Sequence, residues 1–206
     1  MTQYAVARAT KLRQVMGIAD HARRAKLARL PSGGRTDHCQ AKQPWIAKPM
    51  LSFQPKDPDY RKRVAASFQR QQAMRTLGIA IQRLDPGEIE LSMPFARAYT
   101  QQHGFIHAGI ITTALDSACG YAAFSLMPAD AEVLTVEFKT NLLAPAIGQH
   151  FAFRARVVKA GRTITVCEAQ ALAFDQAGER LVATMTGTLM ALFDRDSRAQ
   201  GRRSEQ

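Results

Sequence analysis

The sequence contains little cysteine. Three cysteines occur in 206 residues, at Cys39, Cys119 and Cys167, and no two stand at the spacing of a zinc or redox motif. An odd number excludes a complete disulfide framework and is typical of a reducing compartment, which favours a cytoplasmic location. His103 and His107 are four residues apart but lack a third ligand, so neither a metal nor another cofactor is predicted.

Long hydrophobic runs are also missing. Residues 108–127 come nearest to a membrane span, since they contain no Lys or Arg, but Asp116 lies near their middle. A carboxylate at that depth costs about 2.5–3.5 kcal/mol on insertion scales. The segment therefore predicts a buried helix, and no membrane partner is expected.

Acidic residues are scarce only at the N-terminus. Residues 1–50 contain ten Lys or Arg and two Asp, whereas residues 51–206 contain 18 basic and 15 acidic side chains. The net charge of +11 thus belongs mainly to the first segment, and nucleic acid is not predicted as a partner. The absence of a G-x-S-x-G motif argues against an α/β-hydrolase.

Composition divides the chain into three parts. Residues 1–49 are predicted to be a basic, disordered extension, with a transit peptide, a nucleic-acid arm and read-through from an upstream start as the alternatives. Residues 50–193 are predicted to form the folded domain, with a core over 78–192. Residues 194–206 form a polar tail.

Periodicity within the domain predicts helix, two strands, helix and four strands. Asp59 can cap a helix that runs to residue 73 or 74, and Gly78 follows its end. Short turns between the strands favour antiparallel hairpins. The predicted elements after the first helix are strands Ile79–Leu84 and Glu88–Pro94, a helix over 109–127, and strands Glu132–Leu143, Phe151–Val158, Thr163–Phe174 and Arg180–Leu192.

The long helix is rich in small residues, which lets a curved sheet approach it closely. These residues are Ala114, Ala118, Gly120, Ala122 and Ala123. The order of elements therefore predicts an α+β fold in which an antiparallel sheet of about six strands wraps around one central helix.

Asp116 is the most informative polar residue. A carboxylate in an apolar helix is costly unless it is hydrogen-bonded, paired or placed at a water-accessible cleft. The residue pattern leaves two readings open: a functional carboxylate, or a structural one bonded to Thr112, Thr113 or the backbone.

The segment Gly104–Gly109 opens this helix. Free N–H groups at a helix N-terminus favour an anion or a polarised carbonyl oxygen, so Ala108 and Gly109 could form an oxyanion site. A glycine-containing entry turn is, however, also common without any function.

The run from Gln101 to Gly120 resembles a known signature. His107 is followed by two small residues, and Asp116 stands nine positions after His107. Together with residues 134–146 and 159–163, the run resembles hotdog-fold acyl-CoA thioesterases of the phenylacetic acid degradation type, in the 4-hydroxybenzoyl-CoA thioesterase superfamily. The resemblance spans roughly residues 78–192. Where the family motif reads His-Gly-Gly, the middle glycine is Ala108 here, which keeps its N–H.

The resemblance implies roles for individual residues. Asp116 would act as general base or nucleophile, and the Ala108 N–H would polarise the thioester carbonyl. His107 would shape the entry turn, Thr135 would hold the water from a partner subunit, and Gln101 would assist that water. The family also implies homodimers or homotetramers with active sites at the subunit interface.

Coenzyme A carries phosphates, so basic side chains near the cleft are expected to bind it. Lys159 and Arg162 are the main candidates, followed by Arg154 and Arg156, although charges on a solvated strand face explain each equally well.

An apolar acyl channel is expected, lined by Phe124, Met127, Phe138 and Leu142. The leading function is hydrolysis of an acyl-CoA. The alternatives are a non-catalytic acyl-CoA binding or regulatory module, and a hydratase, against which the absence of histidine in residues 110–127 argues.

Overall fold

The structure is a computed structural model that describes residues 53–193. The expectations for residues 1–49 and for the tail 194–206 lie outside the described residues. Within 53–193, no helix has both the length and the apolar character needed to cross a membrane.

The elements follow the predicted order. Two short helices precede the sheet, and one long helix lies between its second and third strands. Gly87 adopts φ 79° in the turn between the first two strands, as the Asp85-Pro86-Gly87 tripeptide predicts. The elements are α1 (Tyr60–Arg70), α2 (Gln72–Thr76), β1 (Ala80–Asp85), β2 (Glu88–Pro94), a 3₁₀ turn (Arg97–Tyr99), α3 (Ala108–Phe124), β3 (Ala131–Leu142), β4 (His150–Ala160), β5 (Ile164–Asp175) and β6 (Gly178–Phe193).

The predicted first helix is interrupted. Gln71 is extended, with φ −73° and ψ 104°, and separates α1 from α2. In a continuous helix, Phe68 and Met74 would point about 120° apart, because each residue advances the helix by about 100°. The interruption reorients α2, so both side chains are buried in the same core.

The strands form one antiparallel sheet in the order β1-β2-β4-β5-β6-β3. The sheet and its strand number agree with the prediction, but the expected hairpin between β3 and β4 is wrong. β3 pairs with β6 instead, and residues 143–149 lead from β3 at the sheet edge past β6 and β5 to β4. Alternation of polar and apolar residues identifies strands without identifying their neighbours, so the sequence pattern did not reveal this crossover.

The helix α3 packs on one face of this sheet through small side chains. Ala114, Ala118, Ala122 and Ala123 are fully buried, which agrees with the predicted close approach. Gly120 does not share this role, because a Cβ built on it meets nothing within 4 Å. No side chain or strand of the sheet packs against this position.

The C-terminal end of α3 is held by Arg63 of α1. Its Nη2 donates to the carbonyl oxygens of Met127 at 2.7 Å and Phe124 at 3.3 Å, and its Cζ lies 4.1 Å from the Phe124 ring centre. Its Nε donates to Asp57 at 2.7 Å. This hydrogen bond holds the pKa of the Asp57 carboxyl below its usual range. One guanidinium thus satisfies helix carbonyls that would otherwise lack partners.

Replacing Arg63 with Met should lower stability by about 2 kcal/mol or more, because helix carbonyls lose charge-assisted hydrogen bonds. Urea unfolding at neutral pH measures the change. Lys62→Met is the matched control, since Lys62 is exposed and its loss should cost less than about 0.5 kcal/mol.

The same pair of variants gives a pH test. A lowered carboxyl pKa contributes stability above the unfolded-state pKa and loses it as the pH falls. The difference in unfolding free energy between wild type and Arg63→Met should therefore become smaller below about pH 4. Equal stabilities of Arg63→Met and wild type at neutral pH would contradict the assigned contacts.

Candidate active site

Two tethers position the segment that enters α3. The Tyr99 carbonyl accepts from the His107 N–H at 2.9 Å, and the Tyr99 hydroxyl donates to the Thr76 carbonyl at 2.6 Å. On the other side, the Ile106 N–H donates to the Ala146 carbonyl at 3.0 Å. The start of α3 is therefore fixed to α2 and to the crossover that follows β3.

The first turn of α3 leaves one N–H without a partner. The Nδ1 of His107 accepts from the Gly109 N–H at 2.9 Å, and the His107 carbonyl accepts from the N–H groups of Ile110 at 3.0 Å and Ile111 at 3.3 Å. Among the described residues, no hydrogen-bond acceptor contacts the Ala108 N–H. A helix N-terminus thus presents a single free donor, at a partly exposed position.

Gly109 has a packing role in this turn rather than a donor role. A Cβ on Gly109 would lie 3.1 Å from the His107 Nδ1. Glycine therefore lets the imidazole cap the helix, and its own N–H is used by that cap. Of the two oxyanion donors expected, only Ala108 remains available in this geometry.

The carboxylate of Asp116 is half-buried on the same helix. Thr135 of β3 donates from its Oγ1 to the Asp116 Oδ1 at 2.9 Å. Burial raises the pKa of Asp116, and the Thr135 hydrogen bond opposes that rise. The Thr113 hydroxyl donates to the Gly109 carbonyl and is not the partner of Asp116. Within residues 53–193 no cation pairs with Asp116.

A carboxylate with a raised pKa and one neutral partner is suited to accept a proton. It lies at a partly exposed position rather than in the sealed core. The geometry favours the functional reading of Asp116 over the structural one.

Thr135 lies where it can tune that carboxylate. It pairs with the buried Leu189 of β6, so its side chain faces the helix. The resemblance implied that Thr135 would hold a water from a partner subunit, whereas here its hydroxyl contacts Asp116 of its own chain. This contact adds a role that the sequence did not suggest.

Replacing Thr135 with Val should raise the pKa of Asp116 further, because the opposing hydrogen bond is lost. The acid limb of the kcat/KM profile for thioester hydrolysis should move to higher pH. Thr188→Val on β6 is the control, since that hydroxyl donates to Glu137 instead. A shift to lower pH, or an equal shift in both variants, would contradict the assignment.

Gln101 organises the loop before the helix. Its Oε1 accepts from the His103 N–H, and its backbone N–H donates to the Phe105 carbonyl at 2.8 Å. Gly104 closes this turn with φ 83°. The side-chain carbonyl is thus engaged locally, and the amide NH₂ is the group of Gln101 that a water could use.

The basic candidates fall into two groups. Arg154 and Arg156 pair with glutamates of β2 and β5. Lys159, near the end of β4, and Arg162, in the turn that follows, are exposed, and neither makes an ion pair within the part of the chain that the structure describes. Lys159 and Arg162 are therefore the pair available to a phosphate.

The residues expected to line an acyl channel also fall into two groups, one buried and one exposed. Phe124 and Met127 are 1% and 4% exposed and lie in the core, so they do not line an open channel. Phe138 and Leu142 are 44% and 59% exposed on β3. Arg63 covers the Phe124 ring and binds the carbonyl oxygens of both residues, a contact between distant parts of the chain that the sequence pattern did not reveal.

The described residues offer neither a metal-binding cluster nor a reactive thiol. Residues 53–193 contain no cluster of three or more His, Cys, Asp or Glu that could hold a metal. Burial raises the pKa of Cys119 to about 12 and that of Cys167 well above its usual value. Both thiols are protonated core groups, so neither is a nucleophile.

Two polar side-chain pairs that join α3 to Ser67 of α1 and to Gln71, between α1 and α2, were not predicted. The Ser117 Oγ donates to the Gln71 Oε1 at 3.4 Å, and the Ser67 hydroxyl lies 3.4 Å from the Tyr121 hydroxyl. These pairs join residues 46 and 54 positions apart. No local sequence signal could have found them.

Known families and proteins resemble this chain. A family model described as Thioesterase superfamily matches residues 103–179. A protein of Saccharolobus solfataricus named "Putative esterase" is 30% identical over 117 residues, which cover 57% of this chain and 81% of that protein.

Solved structures show similar folds. A thioesterase family protein from Silicibacter pomeroyi is 63% identical with a TM-score of 0.65, covering 66% of this chain and 99% of the other. The E. coli PaaI protein from the phenylacetic acid degradation operon is 19% identical with a TM-score of 0.59. The match covers 66% of this chain and 96% of the PaaI chain. At that identity the second likeness concerns the fold alone.

Proposed function

Because this chain belongs to the thioesterase superfamily, we propose that it hydrolyses acyl-CoA thioesters to a free acid and coenzyme A. It is a hydrolase with the hotdog fold. The observation that carries the proposal is a helix that presents a free N–H at Ala108 and a half-buried carboxylate at Asp116.

Hydrolysis of a thioester requires a hydrogen-bond donor for the carbonyl oxygen and a base for the attacking water. The Ala108 N–H polarises the thioester carbonyl oxygen while Asp116 removes a proton from water. The water oxygen attacks the carbonyl carbon, the C–S bond breaks, and the thiolate of CoA takes the proton from Asp116. In the other form of the mechanism, Asp116 attacks the carbonyl carbon itself, the C–S bond breaks and the CoA thiolate leaves, which forms an anhydride with Asp116. Water hydrolyses this anhydride to the free acid and regenerates Asp116, and the thiolate takes up the proton that the hydrolysis releases.

A single chain does not bring the two groups together on one carbonyl. Ala108 and Asp116 are eight residues apart on α3, which is about 12 Å along the helix axis. A reacting carbonyl lies about 3 Å from its donor and within one water of its base, a shorter span. We therefore propose that Ala108 of one chain acts with Asp116 of a second chain.

Strand β3 offers the surface for that second chain. It lies at the sheet edge, and four of its large apolar side chains are 44–59% exposed. Long, apolar edge strands pair with other chains unless they are blocked. These side chains are Leu134, Val136, Phe138 and Leu142. Pairing two β3 strands about a twofold axis would form a homodimer and place the partner beside Asp116, which contacts β3 through Thr135.

Phosphate recognition completes the substrate proposal. Lys159 and Arg162 would contact the phosphates of CoA, since both are exposed and unpaired in the described chain. The proposal needs no cofactor. Doubling of the dimer to a tetramer and a cytoplasmic location remain predictions.

The test is thiol release from acetyl-, octanoyl-, palmitoyl- and phenylacetyl-CoA, followed with a thiol-reactive dye. The aromatic substrate is included because the PaaI protein belongs to the phenylacetic acid degradation operon. Release from any of them supports the proposal. No release, with binding retained, would replace it with the acyl-CoA binding module.

A further inference from the structure

A groove lies between the two short helices and the first strand of the sheet. Its volume is about 570 Å³, within the range of about 300–1,000 Å³ that small-molecule sites occupy. Most of the side chains that line it are apolar, and no residue of the candidate active site is among them. The largest apolar ones are Phe68, Met74, Ile79 and Ile81.

The turn from α2 into β1 holds the groove in shape. Gly78 adopts φ 64°, and the Ile79 N–H donates to the Met74 carbonyl at 2.9 Å. This closure is typical of a helix that ends at glycine, and it fixes Ile79 next to the last turn of α2. A site whose walls are already ordered binds a ligand without the entropy cost of ordering them.

The charges around the groove favour an anion. Residues 60–76, from the start of α1 to the end of α2, contain five basic side chains and no acidic one. Three of the five pair with aspartates. Arg75 lines the groove, is exposed and makes no ion pair within residues 53–193. A guanidinium binds a carboxylate through two parallel hydrogen bonds.

The position of the groove favours a small molecule over another chain. It opens at β1, the opposite edge of the sheet from β3, so a second chain that pairs through β3 leaves it open. Strand pairing at β1 is hindered, because its register shifts between Ile81 and Arg83 and because Arg61 donates to the Leu84 carbonyl.

We propose that this groove is a second binding site, separate from the catalytic groups, for an apolar monocarboxylic acid. The apolar body of the acid lies against Phe68, Met74 and Ile79, and its carboxylate pairs with Arg75. The choice of a free acid over another apolar anion rests on the proposed function, because hydrolysis of an acyl-CoA releases such an acid.

The experiment measures octanoate and octanol binding to the full chain by calorimetry. Ala80→Trp should weaken octanoate binding about tenfold or more, because its ring fills space in the groove that at least two methylenes of the ligand would occupy. Ala66→Trp, at an exposed position of α1 that does not line the groove, is the control and should bind like wild type.

A second pair of variants tests the carboxylate. Arg75→Gln should weaken octanoate binding about two- to fivefold, the loss expected for one exposed ion pair, and should leave octanol binding unchanged. Arg70→Gln is the matched control, since Arg70 is equally exposed but does not line the groove. Octanol that binds wild type as tightly as octanoate would overturn the assignment of an acid.

Competition separates this groove from the active site. Octanoate should bind wild type in the presence of saturating S-octyl-CoA, a thioether that cannot be hydrolysed. Loss of octanoate binding under these conditions, with equal affinities in wild type and Ala80→Trp, would place the acid in the active site and overturn the proposal. So would a wild type that binds no octanoate, including the case in which Ala80→Trp changes the oligomeric state and the groove serves a second copy.

Thiol release distinguishes failure of this proposal from failure of the proposed function. Ala80→Trp should hydrolyse acyl-CoA at the wild-type rate, since Ala80 contacts neither Ala108 nor Asp116. If wild type releases no thiol but binds octanoate in the groove, hydrolysis is wrong and the binding site holds. If wild type releases thiol but binds no octanoate, hydrolysis holds and the binding site is wrong.

Discussion

Replacing Asp116 with Asn should reduce thiol release about 10²- to 10⁴-fold, which is the contribution typical of a positioned general base. Asparagine keeps the shape of the side chain and an oxygen that accepts from Thr135, but it cannot accept a proton. The loss should appear in kcat at saturating substrate, with little change in KM. Asp130→Asn, an exposed carboxylate on the loop after α3, is the matched control and should hydrolyse at the wild-type rate.

The same variant should be more stable than wild type at neutral pH. Burial raises the pKa of Asp116 in the folded state, so the folded chain binds protons more tightly than the unfolded chain. Stability therefore falls as the pH rises from the unfolded-state pKa through the folded-state pKa. Asparagine has no such cost, and its Tm advantage over wild type should vanish in acid.

Opposed changes in activity and stability distinguish a functional carboxylate from a structural one. A structural Asp116 would lose stability on replacement, because a buried hydrogen-bonded group would be disturbed. Full activity in Asp116→Asn, or loss of activity together with unfolding at neutral pH, would contradict the assigned role.

Local patterns predicted most of the fold. The alternation in Phe151, Phe153 and Ala155 identified β4, and the small residues of α3 indicated that a sheet would pack on it. The position of β3 at the edge could not be read in this way, because strand order depends on contacts between distant residues. The same reason applies to Arg63, whose helical spacing gives no sign of its contacts with Phe124 and Met127.

In the candidate site, too, local spacing revealed some features and three-dimensional contacts determined the others. Spacing on one helix was enough to identify Ala108 and Asp116 as candidates. The sequence could not show that His107 occupies the Gly109 N–H and leaves that of Ala108 free, because this depends on the rotamer of one side chain. Gly120 was assigned to packing because a small residue on a helix does not reveal which face is covered.

Replacing Ala108 with Pro should reduce kcat about 10²- to 10³-fold, the cost of removing one oxyanion donor. Proline is favoured at the first position of a helix, and it lacks only the N–H that has no partner here. His107 already has φ −61° and ψ 137°, the conformation that a residue before proline adopts. The helix should remain intact, as circular dichroism would show. Ala108→Gly keeps the N–H and is the control that should stay active.

Mixed dimers decide whether the two groups act across chains. A dimer of one Asp116→Asn chain and one Ala108→Pro chain contains one complete site if the site is shared, because the free N–H and the carboxylate come from different chains. Purified through two different tags, it should recover roughly half of wild-type activity. If each site instead lay within one chain, neither site of this dimer would be complete, and no activity would return.

The reciprocal dimer should give the opposite result. It combines a wild-type chain with a chain that carries both Asp116→Asn and Ala108→Pro. A shared site leaves each of its two centres with one defect, so it should be inactive, whereas a site within one chain would leave the wild-type chain working at roughly half activity. The proximity of Asp116 to the exposed edge strand β3 favours the shared arrangement. Activity in the reciprocal dimer and none in the first would place donor and base in one chain.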